Sequence, residues 1–357
     1  MSLADEIGVE NSPDANTWRL QQKVSELRSD LGTARKLLGE KDDQLERLAR
    51  IADYQTRPLR PPKFLSQKVK TKAHTALLGT TQSDQHFDEV IDPDTIHGLN
   101  AYNRTIAQRR LERYYERFVH IAKHYWTGVT YTGIVMGLGG DGLSGDIHEL
   151  KETNDDTSLS GMFHWAERIA SGVEYVLDEF PDCAIYVPCI YGNHPRLTDR
   201  PAAKRAARNN LDWGMFQLLA LHFKDNDRVS LDITEGMGVR YDMHGVRFLY
   251  SHGDVPRSTG GGGVGGIWPT IKRNRGKVLD QWSHDPFDIW QIHHYHTRIP
   301  CADGLAVNGS CKGPDEWSMR MGFKPEPAQQ SMWTVTPEHG ITFEAPIKLA
   351  DRKAEGW

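Results

Sequence analysis

Five apolar runs in this chain each end at residues able to ligate a metal ion. TALLGTTQS stops at Asp84-Gln85-His86, GIVMGLGG at Asp141, AIYVPCIYG at Asn193-His194, VRFLYS at His252-Gly253-Asp254, and FDIWQI at His293-His294-Tyr295-His296. Carboxylate, imidazole and amide oxygen without thiolate form a donor set suited to divalent manganese, iron, zinc or magnesium, and an aspartate can bridge two such ions. A single histidine at a strand end is more often a hydrogen-bonded structural residue. The repetition at five run ends is what points to one centre, because in open α/β sheets ligands gather beyond the carboxyl ends of the strands.

Such a centre needs strands to deliver it and helices to cover them. Beyond residue 60, short apolar runs alternate with longer helical patterns, the arrangement of an α/β layered domain. Residues 101–126, 161–180 and 201–224 read as helices, the last starting at Pro201 with Leu211, Met215, Leu218 and Leu219 as its buried stripe. QSMWTVT and GITFEAPI flank residues 337–340 as the arms of a hairpin. Upstream, Leu20, Val24, Leu27, Leu31, Ala34 and Leu38, then Leu45 and Leu48, make a heptad-like seam on a helix from Thr17 to about Ala52, interrupted by Gly32 and Gly39. Either a second copy of the helix, forming a homo-oligomer, or the body of the protein can cover that seam. RPLRPPK at 57–63 stops the helix and acts as a linker. The chain thus divides into an N-terminal helical segment 1–56, a linker 57–63 and a domain 64–357. STGGGGVGG at 258–266 reads as a flexible loop able to act as a lid; no Walker lysine follows it.

With 357 residues, 38% hydrophobic and 25% charged, the chain can bury one large core or two modest ones, which excludes a wholly disordered product. Lys plus Arg at 43 against Asp plus Glu at 48 gives a net charge of −5, so any affinity for nucleic acid must come from local patches. Cys183, Cys189, Cys301 and Cys311 show no CxxC pairing and do not read as a disulfide scaffold. No run approaches the ~20 apolar residues of a membrane span, and MSLADEIG lacks a signal-peptide core. These features predict a cytoplasmic protein without a membrane partner.

In the order D-x-H, GGD, GNH, H, H-x-H, the chain resembles the calcineurin-like metallophosphoesterase superfamily, whose motif order is D-x-H, GD, GNH, H, GHxH, over about residues 75–300. The resemblance implies an α/β fold, a two-sheet αββα sandwich, preceded here by the N-terminal helix. It also implies a phosphoric ester hydrolase with two divalent metal ions, manganese first, with zinc, iron or magnesium as alternatives. Asp84, His86 and His296 would hold one metal, Asn193, His252 and His294 the other, and Asp141 would bridge them. His194 would be the catalytic residue that contacts the scissile phosphate and assists the leaving group. Two cations about 4 Å apart clamp a phosphate and lower the pKa of a bridging water, so the implied reaction is hydrolysis by a metal-bridging hydroxide without a covalent intermediate.

The chain departs from the family pattern at two places. Pro195 stands where the nuclease branch often has an acidic residue that orients the histidine, and His293 stands where glycine is usual. The register with His293 as ligand is open beside the one with His294, although side chains two apart on a strand face one way, which favours His294 with His296. Asp88 is a weaker alternative ligand, and Asp146 and His148 belong to an extended GGDGLSGDIHE loop that looks like that of phage-encoded members, which would place the protein in a host cytoplasm.

After GNH comes a basic stretch, Arg196, Arg200, Lys204, Arg205 and Arg208, and after the glycine-rich loop a second, Lys272, Arg273, Arg275 and Lys277. Either can contact a phosphate backbone, or form a solvated surface. Trp268 could stack on a base. Arg196, Arg200 and Arg205 are the candidate substrate-binding residues. These clues favour a dimetal phosphodiesterase acting on DNA or RNA, similar to the SbcD-type exonuclease branch, whose members work with an ATPase partner. The alternatives are a phosphomonoesterase or protein phosphatase of the same superfamily, and a non-catalytic interaction protein that uses its N-terminal helix.

Overall fold

A computed structural model describes residues 13–52, 62, 65, 74–147, 150–254 and 268–357. The linker at 57–63 apart from Pro62, His148 and the glycine-rich loop 258–266 lie outside the described residues. The chain divides into two compact units, Met1–Gln55 and Thr56–Trp357.

In the first unit, helix α1 (Pro13–Ala52) runs uninterrupted through Gly32 and Gly39. Strong helix formers such as Leu, Arg, Lys, Glu and Gln dominate it, and these tolerate two glycines costing about 1 kcal/mol each. Leu20, Val24, Leu27, Leu31 and Leu38 of the seam are exposed.

The second unit is α/β with two mixed sheets. The first has the order β11-β10-β1-β2-β3-β4, with β1 Thr75–Gln82, β2 Thr130–Leu138, β3 Ile185–Cys189, β4 Val229–Ile233, β10 Gln329–Thr336 and β11 Gly340–Lys348. β1 to β4 are mutually parallel, whereas β10 and β11 form an antiparallel hairpin on β1. The second sheet has the order β5-β6-β7-β9-β8, with β5 Val239–Met243, β6 Val246–Tyr250, β7 Ile289–Ile292, β8 Ile299–Ala302 and β9 Leu305–Val307.

Adjacent residues on a strand point to opposite faces, and this alternation builds the layers. Leu78, Ile134 and Val187 face helices α2 (Arg104–His120), α3 (Ser158–Glu179) and α4 (Leu211–His222), meeting Leu111, Phe118, Trp165, Ile169, Met215 and Leu219. Their neighbours Leu77, Val135 and Tyr186 face the other way and share a core with Tyr241, Phe248, Tyr250 and Ile289 of the second sheet. The far face of that sheet, through Leu249, Trp290 and Val307, packs on Ile271 and Val278 of helix α5 (Trp268–Gln281). Each such side chain contributes about 1.5–3 kcal/mol by leaving water. Strands covered on both faces read as unbroken apolar runs, which is why β1, β2 and β3 stand out in the sequence.

The helix expected over 201–224 begins ten residues later than Pro201. Asn210 is its N-cap, its side chain accepting from Asp212 N at 2.9 Å. Upstream, the backbone is held in an irregular loop by Leu197 N donating to Asn209 O at 2.8 Å and by an Arg196–Asn210 bridge. α2 is capped by Asn103 and its end is widened into a π turn over Ile121–Tyr125, close to the expected span.

Candidate metal centre

The parallel register of β1, β2 and β3 puts their carboxyl ends on one edge, where Asp84 and His86, then Asp141, then Asn193 and His194 follow. β6 and β7 are parallel as well and end at His252 and at His293 to His296. The sheets meet at this edge: His252 Nδ1 donates to Gly139 O at 2.8 Å, His293 N to His252 O at 2.9 Å, and His294 N to Asp84 Oδ1 at 3.1 Å.

The seven residues expected as ligands come together. Asp84, His86 and His296 form one group whose donor atoms lie within 4.8 Å of one another, and Asp141, His252 and His294 form another. Asn193 joins the second, its Oδ1 being 3.2 Å from His252 Nε2. A third group, His86, Asp141 and His194, lies between them, so His194 stands within ligand range as well. The donor separations can be compared with the edges that a coordination polyhedron would have. With bonds of about 2.1 Å, neighbouring donors sit about 3.0 Å apart at a right angle and about 3.4 Å apart at a tetrahedral angle. His86 Nε2 is 3.2 Å from His296 Nε2, His296 Nε2 is 3.4 Å from Asp84 Oδ1, and His252 Nε2 is 3.1 Å from Asp141 Oδ2. Asp141 Oδ2 also reaches to 3.9 Å from His86 Nε2, which puts this carboxylate between the two groups.

The electrostatics ask for positive charge here. Asp84 and Asp141 are buried, at 0% and 1% exposure, and among the described residues neither has a lysine or arginine ion-pair partner. A buried carboxylate without a cation is unstable. Burial pushes the Asp141 pKa up, but the imidazoles of His252 and His194 beside it hold it well below the usual carboxylate range. Burial likewise works against a charged His252, yet Asp141 carries its pKa well above the ordinary imidazole value. Burial, with Lys312 nearby, keeps His86 well below that value, and burial with the His252 charge lowers His294 to about 4. His86 and His294, neutral and with a free lone pair, face ionised Asp141 as a divalent ion requires, whereas at His252 an ion would have to displace the proton that Asp141 now holds there. Buried Asp and His groups of this kind could hold a metal ion.

The backbone is bent to present these groups. Asp84, His86, Asp141, His294 and His296 all have left-handed φ, between 48° and 69°. That conformation in a non-glycine residue costs on the order of 1 kcal/mol or more and persists where surroundings impose it. This also corrects the reason for the His294/His296 pairing: β7 ends at Ile292, so both lie past the strand and it is left-handed turns, not strand alternation, that aim them. His293 is fully buried under Tyr250, at 4.8 Å between ring centroids, and falls in none of the ligand groups. Gly192 permits the close approach of two ligand loops, since a Cβ there would stand 2.1 Å from Asp141 Oδ1.

A surrounding layer, not visible in the motif order, fixes the ligands. Asp212, on the first turn of α4, is fully buried and accepts from Gly142 N at 3.1 Å and Gly192 N at 3.0 Å, tying the loop of Asp141 to the loop of Asn193. Burial and the charge of Asp141 raise its pKa to about 7. Ser83 Oγ donates to Asp84 Oδ2 at 2.8 Å and itself receives Asn308 Nδ2 at 2.8 Å. Behind His86, Ser144 lies 3.3 Å from its Nδ1 and donates to Glu89 at 2.5 Å, while buried Lys312 pairs with Glu89 at 2.7 Å. Only an acidic residue at the head of a helical pattern, as in NNLDWG, could have drawn attention to Asp212.

Asp88 is no ligand: its carboxylate accepts from Trp165 Nε1 at 3.0 Å and pairs with Arg104 at 2.8 Å. Asp146 accepts from Ser158 Oγ at 2.6 Å, a contact that ties its loop to the first residue of α3. His194 donates its backbone N–H to Asp141 Oδ1 at 2.7 Å and stands edge-on to His86 at 4.5 Å, but its buried Nδ1 has no partner among the described residues. Among the described residues, no carboxylate replaces the one absent at Pro195. The basic stretch after it is a loop rather than a helix face. Arg196 turns back to donate to Asn193 O at 2.6 Å, Arg200 and Arg205 are exposed, and Arg208 pairs with Glu235 at 2.9 Å. In the second stretch Lys272 pairs with Asp303 at 3.0 Å and lies over Trp268 at 5.2 Å, while Arg275 donates to Gly304 O.

No helix among the described residues is long and apolar enough to cross a membrane. No protein-family model matches this chain, and no curated protein matches it either.

Proposed function

We propose that this protein is a metal-dependent phosphodiesterase with the αββα sandwich of the calcineurin-like metallophosphoesterases, and that it hydrolyses nucleic-acid phosphodiester bonds. One observation carries the reading: five strand ends from two sheets bring Asp84, His86, Asn193, His252, His294 and His296 around a single buried Asp141 carboxylate. Asp84, His86 and His296 would hold one divalent ion, Asn193, His252 and His294 a second, with Asp141 shared. Such ions supply Lewis-acid stabilisation of a phosphoryl group and a nucleophilic water at neutral pH.

The chain's own groups then do the rest. Asn193, His194, His294 and His296 are partly exposed while Asp84, His86, Asp141 and His252 are buried, so a phosphate enters on the side of the former four. His194 donates the proton to the departing oxygen. Burial lowers its pKa below the ordinary imidazole value, which makes its protonated form a stronger acid. Asp212 keeps the two ligand loops in register through backbone donors.

The test is turnover of bis-p-nitrophenyl phosphate and of p-nitrophenyl phosphate with manganese, magnesium or zinc, followed by single- and double-stranded DNA and RNA. Manganese-dependent cleavage of the diester and of an oligonucleotide is expected. Cleavage of the monoester alone would make the protein a phosphomonoesterase, and failure to bind any divalent ion would end the enzymatic reading.

A further inference from the structure

We propose that the segment following β9 forms a base-stacking platform for single-stranded nucleic acid at the mouth of the metal centre, with Trp317 and Phe323 as the stacking surfaces and Arg320 and Lys324 as phosphate contacts. The proposal rests on the nucleic-acid reading above and names the part of the substrate that this surface takes.

Topology puts the segment at the mouth. β9 is parallel to β7, pairing Ile292 with Val307, so the chain leaves β9 on the edge that carries His293 to His296. β10 is antiparallel to β1, pairing Thr81 with Ser331, so the chain enters β10 on the edge where β1 delivers Asp84. Residues 308–328 therefore cross the ligand edge from one sheet to the other. Both ends are fastened there. Ser310 Oγ and Cys311 N donate to Asp84 O at 2.9 and 3.1 Å, and Glu326 accepts from Arg298 N, two residues past His296, at 2.8 Å.

What this strap presents to solvent is unusual for a loop. Trp317 and Phe323 are 62% and 41% exposed, with ring centroids 5.4 Å apart at 72°. Exposed Arg320 and Lys324 flank them, and among the described residues neither forms an ion pair. The acids of the same stretch are already engaged. Asp315 caps the short helix Glu316–Arg320 and pairs with Lys312 at 2.5 Å, and Glu316 accepts from Thr95 Oγ1 at 2.8 Å. The surface is thus two aromatic faces with uncompensated cations on a fastened base. A self-association patch would need only the apolar part. The cations beside the rings, next to a phosphodiester-cleaving centre, fit unpaired bases and their backbone.

The full-length chain is tested by fluorescence anisotropy with a labelled oligothymidylate across a salt series, alongside sedimentation, metal content and melting temperature. Trp317→Ala should weaken oligonucleotide binding about 10-fold or more with metal content and melting temperature unchanged, and Trp317→Phe should restore most of it. Arg320→Ala with Lys324→Ala should flatten the salt dependence by about two phosphate contacts. Oligothymidylate binding unaffected by Trp317→Ala overturns the proposal, as does a change in sedimentation without a change in binding, which would make the patch a contact between copies. A chain that cleaves bis-p-nitrophenyl phosphate but does not bind the oligonucleotide also overturns it. Binding through Trp317 by a chain that cleaves nothing would support the platform and remove the nuclease reading instead.

Discussion

Asp212 offers a sharp test of how the centre is held. Its two carboxylate oxygens accept from Gly142 N and Gly192 N at 3.1 and 3.0 Å, and each of these glycines adjoins a ligand, Asp141 or Asn193. Asp212→Ala leaves both buried N–H groups without an acceptor, at about 1–3 kcal/mol each, so about 2–6 kcal/mol in all. A domain with a total stability of about 5–15 kcal/mol could lose much of it, which makes alanine a poor probe of function. Asp212→Asn keeps one acceptor and turns its amide toward the other N–H, costing one bond of about 1.5–3 kcal/mol and letting one loop move relative to its neighbour. Groups that orient ligands typically change metal affinity by about 10–100-fold. The assay is titration of manganese into the metal-free full-length chain by calorimetry, with electron paramagnetic resonance reporting whether two bound ions are spin-coupled. Asp212→Asn should retain a cooperative melt, bind at least one equivalent more weakly and lose the coupled signal. Two equivalents bound with unaltered affinity and coupling would refute the claim that Asp212 sets the spacing of the ligand loops.

Four further outcomes are expected. Asp141→Asn should weaken both metal equivalents and abolish diester turnover, because one shared charge is removed; calorimetry and turnover check it, and unaltered binding of either equivalent would remove the bridging role. His194→Ala should leave metal content intact and lower the rate by about 10²-fold or more, measured by elemental analysis and steady-state kinetics; loss of metal would make His194 a ligand. Because burial and the Asp141 charge raise the Asp212 pKa to about 7 from an ordinary 3.8, the protonated form is the one folding favours. In chelator, that contribution should be complete below about pH 4 and fade as pH rises to about 7, whereas Asp212→Asn should flatten this part of the melting-temperature profile. Deleting residues 1–56 should lower the oligomeric mass seen by sedimentation while leaving small-diester turnover within about two-fold, because the heptad seam of α1 lies outside the second compact unit.

The strand ends were legible because β1, β2 and β3 are covered on both faces and so appear as continuous apolar runs, each broken by the polar group it delivers. The hairpin of β10 and β11 was legible for a related reason, two apolar arms around a short polar turn. Asp212 was not, because its partners are backbone N–H groups of glycines distant in sequence, and a carboxylate bonded to backbone leaves no mark on its neighbours' identities. The start of α4 was misplaced at Pro201 because its true cap, Asn210, is preceded by a loop whose composition favours helix but whose backbone is committed to Arg196 and Leu197. The pairing of His294 with His296 was anticipated from a strand periodicity that does not extend that far; two left-handed turns give the same result by another route.

Those turns have an implication for how the protein can change. At Asp84, His86, Asp141, His294 and His296 the main chain adopts a shape that glycine would adopt more comfortably, and each of these positions also carries a group that is costly to bury. Selection for heat resistance and selection for turnover therefore pull in opposite directions at the same five codons. A lineage that loses its substrate has a downhill path toward a sturdier, inert domain with the same layered scaffold.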